Sequence, residues 1–210
     1  MSPSRLERGL YLVTPDERDP SRLLGRVAPL LPFSACLQLR AKSMKHEALR
    51  EAASLLRTAC REAGVPFIVN DDARLARQVG ADGVHLGEHD AAVAEARALL
   101  GDDALIGASC YDDLGRARDA AASGADYIAF GAFFPSPTKP NARRASTDLL
   151  RDSAALGLPR VAIGGITLDN ARALVDAGAD LVAVISGVFD APDPIRAARA
   201  YLSCFEDTHA

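Results

Sequence analysis

The triplet Gly-Ala-Asp stands three times before a short apolar run in this chain, as GADGVHL at 80–86, GADYIAF at 124–130 and GADLVAV at 178–184. Each triplet follows a stretch with the apolar spacing of a helix, and the run after it is typical of a buried β-strand. Glycine is a natural helix C-cap at this place, because it enters the left-handed conformation without steric cost. The repeat therefore indicates a helix-then-strand unit that recurs along the chain.

Eight strands can be counted outward from these repeats, and most are continuously apolar, as in a parallel sheet that is covered on both faces. Helical patterns separate the strands, and the triplets precede the fourth, sixth and eighth of them. This alternation predicts an α/β protein with a single (β/α)8 TIM barrel over residues 1–210, and it leaves an open doubly wound sheet as the alternative. The predicted strands are Leu10–Thr14, Ala35–Arg40, Phe67–Asn70, Gly83–Leu86, Leu105–Ser109, Tyr127–Gly131, Arg160–Gly164 and Leu181–Ser186.

Composition and charge narrow the class of protein. Apolar residues make up 49% of the chain, enough for a sizeable core, and a net charge of −4 without a basic stripe argues against a nucleic-acid partner. No apolar signal segment and no run of about 18 apolar residues is present, so we expect no membrane partner and a cytoplasmic location. The widely spaced Cys36, Cys60, Cys110 and Cys204 are typical of reduced thiols that pack in a core. The sequence allows a homo-oligomer without predicting one.

Polar residues follow most of the predicted strands at their C-terminal ends, where the active sites of barrels gather. Polar loops are common in barrels, but here cations, carboxylates, hydroxyls and glycines converge on one rim. This convergence predicts a binding site formed by Gln38, Arg40, Lys42, Asn70, Asp71, His85, Asp90, Ser109, Ser136, Thr138, Lys139, Gly164, Gly165, Ser186 and Gly187.

Two anion sites can be distinguished on this rim. Gly164-Gly165 and Ser186-Gly187 end the seventh and eighth strands, where glycines let backbone N–H groups approach a phosphate and the next helix directs its positive N-terminus. The second site combines three cations with two carboxylates, a set that suits a Mg²⁺ ion bridging the protein to a diphosphate. The alternative is that the two aspartates only cap the helices that follow them. The second set consists of Arg40, Lys42, Lys139, Asp71 and Asp90.

His85 and His89 have the four-residue spacing of a metal pair, but that spacing places two ligands together only on a helix. Because His85 lies in a strand pattern, we predict that it is a hydrogen-bonded wall residue. No nucleophile–base pair is visible in the sequence. Two anion sites instead favour a reaction that joins two phosphorylated molecules, in which diphosphate leaves and the protein neutralises its growing charge.

Several motifs in order make the chain resemble the thiamine-phosphate synthase family from Tyr11 to about Ala200. They are QLRAK at 38–42, ND at 70–71, ADGVHLGEHD at 81–90, GASC at 107–110, GADYIAFGAFFPSPTKP at 124–140, AIGGI at 162–166 and AVISG at 183–187. The resemblance implies a Mg²⁺-dependent transferase with a TIM barrel. Its substrates would be 4-amino-5-hydroxymethyl-2-methylpyrimidine diphosphate and a thiazole phosphate, and its products thiamine monophosphate and diphosphate.

The resemblance also assigns roles to residues. It implies that Asp71 and Asp90 hold Mg²⁺. It implies that Arg40, Lys42, Ser109 and Lys139 are catalytic, with Ser109 and Lys139 stabilising the leaving diphosphate or the pyrimidine. Gly165, Ile185 and Ser186 would bind the thiazole phosphate, and Ser136 and Thr138 would border the thiazole. The substrate-binding set it implies is Gln38, Leu39, Arg40, Ala41, Lys42, Asn70, Ser109, Ser136, Pro137, Thr138, Lys139, Gly165, Ile185 and Ser186.

The chain departs from the family pattern at a few positions and leaves two other functions open. Ser136 replaces a threonine, Ala41 a glutamate and Glu88 a common glutamine, while Cys110-Tyr111 stand where many relatives have a histidine. One open function is an isomerase on the same fold, such as a thiazole tautomerase or a sugar-phosphate epimerase, which needs only one phosphate site. The other is a non-catalytic regulator that binds thiamine precursors.

Overall fold

The computed structural model describes residues 6–87, 93–135 and 143–206. Eight strands alternate with helices along this part of the chain. The strands are β1 Gly9–Val13, β2 Cys36–Leu39, β3 Phe67–Asn70, β4 Gly83–Leu86, β5 Leu105–Tyr111, β6 Tyr127–Phe130, β7 Arg160–Ile163 and β8 Leu181–Val184. The α-helices are α1 Pro20–Val27, α2 His46–Ala63, α3 Ala73–Val79, α4 Val93–Leu100, α5 Leu114–Ala122, α6 Asp148–Asp152, α7 Leu168–Asp176, α8 Ser186–Phe189 and α9 Pro194–Ser203, with 3-10 turns at Ala28–Phe33 and Ser153–Leu156.

The strands form a closed barrel in chain order, and every neighbouring pair is parallel. β1 closes the barrel against β8, with Gly9 opposite Leu181. The predicted (β/α)8 fold is therefore confirmed, and the open doubly wound sheet is wrong. Closure explains the continuously apolar strands, because one face of each lines the barrel interior and the other packs on helices.

Two strand ends differ from the prediction by two residues, and the ends of β1, β2, β6 and β7 differ by one. β5 continues to Tyr111, with a shift in register against β6 between Ser109 and Tyr111. β8 ends at Val184, because Ile185 leaves the extended conformation and Ser186 is the first residue of α8. The run Ala183–Ser186 looks uniformly strand-like in sequence, so the point where the chain turns into the helix could not be seen there.

The core has two layers that follow the alternation of side chains along each strand. One cluster lies inside the barrel and includes Tyr11, Ile68, Tyr127 and Leu181. The larger cluster lies between the strands and the helices, where α2 buries residues such as Leu56. Burial at about 25 cal/mol per Å² of apolar surface makes these layers the main favourable contribution to folding.

The three repeated triplets lie at the N-terminal end of the barrel, and their glycines all have positive φ. Each aspartate joins two neighbouring strands: its backbone N–H donates to, and its carboxylate accepts from, one residue at the start of the preceding strand. Each carboxylate also pairs with an arginine. The three sets are Asp82 with Phe67 and Arg57, Asp126 with Ile106 and Arg97, and Asp180 with both the backbone and the side chain of Arg160.

The four cysteines are free thiols, as predicted, and Cys36, Cys60 and Cys110 are buried. Burial raises the pKa of the Cys60 and Cys110 thiols to about 12, so neither is a reactive thiolate at neutral pH. In the three ranges that the structure describes, no helix is long and apolar enough to cross a membrane.

Candidate active site

The loop after β2 is held by Thr14, a buried residue just beyond β1. The Thr14 hydroxyl accepts from the Arg40 N–H at 2.8 Å and donates to the Arg40 carbonyl at 3.0 Å. Its own N–H donates to the Gln38 carbonyl at 2.9 Å. These bonds fix the backbone from which the predicted binding residues project. This role could not be predicted from the sequence, because a threonine that ends a strand has no distinctive pattern.

A pocket at the mouth of the barrel lies between the ends of β2 and β3. Its walls include Arg40, Lys42, Asn70 and Asp71, together with Leu39 and Ala41. Two cations, an amide and a carboxylate from the predicted set therefore line one pocket. The pocket suits a charged ligand, since opposite charges on its walls can meet an anion and a cation together.

Asp71 has an unusual backbone for a residue other than glycine, with φ at 66°. Its N–H donates to the His85 carbonyl at 2.8 Å, which ties the end of β3 to β4. The left-handed conformation costs about 1 kcal/mol in most residues and less in aspartate, and such outliers cluster at functional sites. The backbone conformation of Asp71 and its bond to His85 thus hold the exposed carboxylate at the rim.

The helix that follows is capped by the next residue, Asp72. Its carboxylate accepts from the Leu75 N–H at 2.8 Å, and its backbone is extended, as an N-cap requires. The alternative that Asp71 only caps this helix is therefore wrong, because Asp72 already occupies that role.

A second carboxylate, Asp16, joins the loops after β1 and β2. It accepts from the Ser43 hydroxyl at 2.8 Å and from the Ser43 N–H at 3.1 Å. The hydrogen bond from the Ser43 hydroxyl, followed by the one from its N–H, lowers the pKa of Asp16 below the ordinary value. Sequence reasoning did not single out Asp16 or Ser43.

A chain of side-chain hydrogen bonds crosses the barrel interior below the mouth. Gln38 Nε2 donates to the Tyr11 hydroxyl at 2.8 Å, and that hydroxyl lies 2.8 Å from the Tyr127 hydroxyl. His85 Nδ1 lies 3.1 Å from the same Tyr127 oxygen, and His85 Nε2 lies 2.9 Å from Ser109 Oγ. The prediction that His85 is a hydrogen-bonded wall residue is confirmed.

The two tyrosines of this chain are fully enclosed. Burial raises the pKa of Tyr11 and of Tyr127 well above the ordinary value, so both hydroxyls keep their protons at neutral pH. The His85 ring also stacks on Tyr127, with centroids 5.6 Å apart. The sequence could not reveal this chain, because its members lie on five different strands.

The predicted phosphate loops lie side by side after β7 and β8, whose last paired residues are Ile163 and Ala183. Gly165 has φ at 65°, and a Cβ there would lie 2.6 Å from the Phe134 carbonyl oxygen. Only glycine fits this conformation and this close approach. Asn170 then accepts from the Thr167 N–H and donates to the Gly165 carbonyl at 3.1 Å.

The second predicted phosphate loop, after β8, leads into the start of α8. The backbone N–H groups of Ser186 and Gly187 begin this helix, and within the described chain they donate to no acceptor. Ser186 is exposed and Ile185 partly buried. Exposed N–H groups of this kind at a helix start are suited to an anion.

Several predicted site residues cannot be placed. Asp90, Ser136, Pro137, Thr138 and Lys139 lie outside the described residues, as do Glu88 and His89. In the ranges that the structure does describe, no group of three or more histidine, cysteine or acidic residues could hold a metal ion. Asp71 is therefore the described carboxylate on which a metal role depends.

Tyr111 and Cys110 occupy the place where many family members have a histidine. Tyr111 has φ at 54°, and the guanidinium groups of Arg116 and Arg143 lie 5.9 and 5.7 Å from its ring centroid. Cys110 points into the core. Cys110 offers no thiolate to the mouth, since burial raises the pKa of its thiol to about 12.

Comparison with known proteins gives a consistent result. A family model described as thiamine monophosphate synthase matches residues 10–188. A thiamine-phosphate synthase of Azoarcus sp. (strain BH72) is 60% identical over 200 residues, which cover 94% of this chain and 97% of the relative. One of Xanthomonas campestris pv. campestris (strain 8004) is 59% identical over 198 residues, covering 94% of this chain and 96% of the relative.

Solved structures agree with these relatives. A thiamine phosphate pyrophosphorylase from Pyrococcus furiosus has a TM-score of 0.86 and 34% identity, and the match covers 98% of this chain and 99% of that one. A 3-hexulose-6-phosphate synthase, at 17% identity and a TM-score of 0.72, is similar in fold alone.

Proposed function

Because the chain belongs to the thiamine monophosphate synthase family and acts as a transferase in thiamine biosynthesis, we propose that it joins 4-amino-5-hydroxymethyl-2-methylpyrimidine diphosphate to a thiazole phosphate. The products are thiamine monophosphate and diphosphate. The observation that carries this proposal is the pocket in which Arg40 and Lys42 face Asn70 and Asp71.

The cations of this pocket bind the diphosphate. A guanidinium contacts two phosphate oxygens at once, while an ammonium acts as a compact point charge. Arg40 and Lys42 form no ion pair with a described residue, so their charges are available to a ligand. Lys139, which lies outside the described residues, would join them, as the family resemblance implies.

Asp71 and Asp90 are the residues that would hold Mg²⁺. The donor set fits the ion, because Mg²⁺ is usually bound by one or two carboxylates and by substrate phosphates, and Asp71 shares a pocket with the two cations. When bound, the ion neutralises charge on the diphosphate.

The proposed reaction uses one anion site for each substrate. The pyrimidine diphosphate lies against Gln38, Asn70 and Ser109, and its diphosphate departs as Arg40, Lys42 and Lys139 stabilise the growing negative charge. Each well-placed donor contributes on the order of 3 kcal/mol to lowering such a barrier. The thiazole nitrogen then captures the pyrimidine carbocation.

The thiazole phosphate is bound at the other side of the mouth. Gly165 and the start of α8 at Ile185 and Ser186 present backbone N–H groups and a hydroxyl to its phosphate. Ser136 and Thr138, which lie outside the described residues, would border the thiazole ring, as the family resemblance implies. Holding both reactants fixed removes much of the entropic part of the barrier.

The deciding experiment measures diphosphate release and thiamine monophosphate formation with each substrate alone, with both, and with Mg²⁺ present or removed by a chelator. We expect equal amounts of the two products only with both substrates and the metal. Conversion of the thiazole phosphate to an isomer without the pyrimidine would favour the tautomerase. Tight binding of both substrates without turnover would favour the regulator. The cytoplasmic location and the oligomeric state remain predictions.

A further inference from the structure

The hydrogen-bond chain through the barrel has a direction that its members impose on one another. The Gln38 amide is oriented with Nε2 toward the Tyr11 hydroxyl, and either tyrosine hydroxyl could donate to the other. Only donation from Tyr11 to Tyr127 uses the hydrogens of both hydroxyls. Tyr127 therefore accepts from Tyr11 and donates its own hydrogen to His85 Nδ1.

The direction continues through the imidazole ring. When Nδ1 of a neutral His85 ring accepts, the ring hydrogen resides on Nε2, which then donates to Ser109 Oγ, 2.9 Å away. Ser109 then has its own hydroxyl hydrogen left to donate. Both tyrosine hydroxyls stay protonated, since burial raises their pKa values, so the order of donors is not disturbed by ionisation near neutral pH.

The Gln38 end of the hydrogen-bond chain is equally defined. Gln38 is only 5% exposed, and within the described residues no group donates to its Oε1. Since Nε2 is turned toward Tyr11, Oε1 is the atom of the amide that remains for a ligand. The chain thus offers one acceptor at the end of β2 and one donor on β5.

We propose that Tyr11, Tyr127 and His85 are positioning residues that hold Gln38 as a hydrogen-bond acceptor and Ser109 as a hydrogen-bond donor toward the pyrimidine substrate. This inference rests on the proposed function. An aminopyrimidine carries a donating amino group and accepting ring nitrogens, which match one acceptor and one donor. An amide and a hydroxyl could each turn either way without such support, and fixing them beforehand lowers the cost of binding.

The first test concerns the direction itself and needs no turnover. The ¹⁵N spectrum of the intact, ligand-free protein, with His85 assigned by its loss in His85→Asn, reports which ring nitrogen carries hydrogen. We expect hydrogen on Nε2 in the wild type. In Tyr127→Phe, which removes the donor to Nδ1, we expect the Nδ1 signal to move and the two tautomers to mix. A wild-type ring with hydrogen on Nδ1, or a spectrum unchanged by Tyr127→Phe, overturns the proposal.

The second test uses the two substrates separately. Tyr127→Phe should raise KM for the pyrimidine diphosphate about tenfold, the effect of one lost hydrogen bond, and leave KM for the thiazole phosphate unchanged. Ser153→Ala is the matched control, because the buried Ser153 hydroxyl donates to the Leu149 carbonyl at 2.6 Å and takes no part in the hydrogen-bond chain. It should change neither KM. Equal shifts in both KM values would show a general structural effect and contradict the proposal.

A substrate analogue sharpens this result. In the 4-oxo analogue of the pyrimidine diphosphate an oxo group replaces the amino group and a neighbouring ring nitrogen carries hydrogen, so donor and acceptor are exchanged. Sites that hydrogen-bond their substrate reject mismatched analogues strongly. We expect Tyr127→Phe to reduce the wild-type preference for the amino compound at least about tenfold. An unchanged preference would contradict the proposed role of the hydrogen-bond chain.

Two further observations keep the outcomes apart. If Tyr127→Phe does not fold, Tyr11→Phe interrupts the hydrogen-bond chain one step earlier. This variant should raise KM for the pyrimidine diphosphate while the His85 tautomer persists. A normal KM would refute the role of Gln38. If the wild type forms no diphosphate from both substrates, the proposed function fails, whereas the ¹⁵N experiment still decides the direction of the chain.

Discussion

The two ends of the barrel use the same residue types for opposite purposes. At the N-terminal end, Asp82, Asp126 and Asp180 are half-buried, and each is bound by an arginine and by a strand N–H. At the mouth, Asp71 is exposed, and it shares a pocket with Arg40 and Lys42. Charges at the N-terminal end are paired within the fold, while the charged side chains at the mouth line a pocket. A substitution should therefore cost stability at one end and activity at the other.

The largest effect is expected at the mouth. Asp71→Asn keeps the size of the side chain and tolerates the left-handed backbone, but it removes the charge proposed for Mg²⁺. We expect kcat to fall at least about 10²- to 10³-fold, with the thermal midpoint nearly unchanged because the residue is exposed. Steady-state kinetics and calorimetry measure the two quantities. A variant that unfolds instead would make Asp71 a structural residue.

The matched change at the other end is Asp126→Asn. It removes the charge that binds Arg97 at 2.6 Å and weakens the bond from the Ile106 N–H. A bond to a charged group contributes about 2 kcal/mol, so Tm should fall by about 4–8 °C while kcat of the folded enzyme stays near the wild-type value. Loss of kcat without loss of Tm would break the contrast between the two ends.

A smaller effect is expected at Gly165. Alanine there combines a positive φ with a contact too close to the Phe134 carbonyl oxygen, which costs on the order of 1–2 kcal/mol. If this glycine shapes the thiazole phosphate site, KM for that substrate should rise while KM for the pyrimidine diphosphate does not. A rise in KM for the pyrimidine diphosphate alone would show that this loop does not bind the thiazole phosphate.

The smallest effect is expected at Asp16. Its folded-state pKa is depressed by the bonds from Ser43, so it contributes stability above its unfolded pKa, and that contribution is lost as pH falls through the folded pKa. The difference in stability between the wild type and Asp16→Asn should be constant above about pH 5 and shrink toward zero at pH values well below the ordinary value of 3.8. Urea titrations across this range measure it, and a difference that grows on acidification would contradict the assignment.

Much of the mouth could be predicted because strand ends are visible in sequence. The ends of Phe67–Asn70 and Gly83–Leu86 were predicted correctly, and the barrel topology then requires that Arg40, Lys42, Asn70 and Asp71 meet on one rim. The choice between Asp71 and Asp72 as helix cap could not be predicted, because both are common cap residues and the decision depends on one backbone dihedral.

The sequence by itself determined the eightfold alternation and the family resemblance, because periodic burial and short motifs depend on neighbouring residues, while the structure decided for the closed barrel over the open sheet. Only the tertiary structure decided that Tyr11 meets Tyr127 across 116 residues and that His85 lies between Tyr127 and Ser109. Such contacts depend on how far each strand is staggered when the sheet closes. A local pattern carries no record of that stagger, so the hydrogen bonds made by the Gln38 and Ser109 side chains appear only in three dimensions.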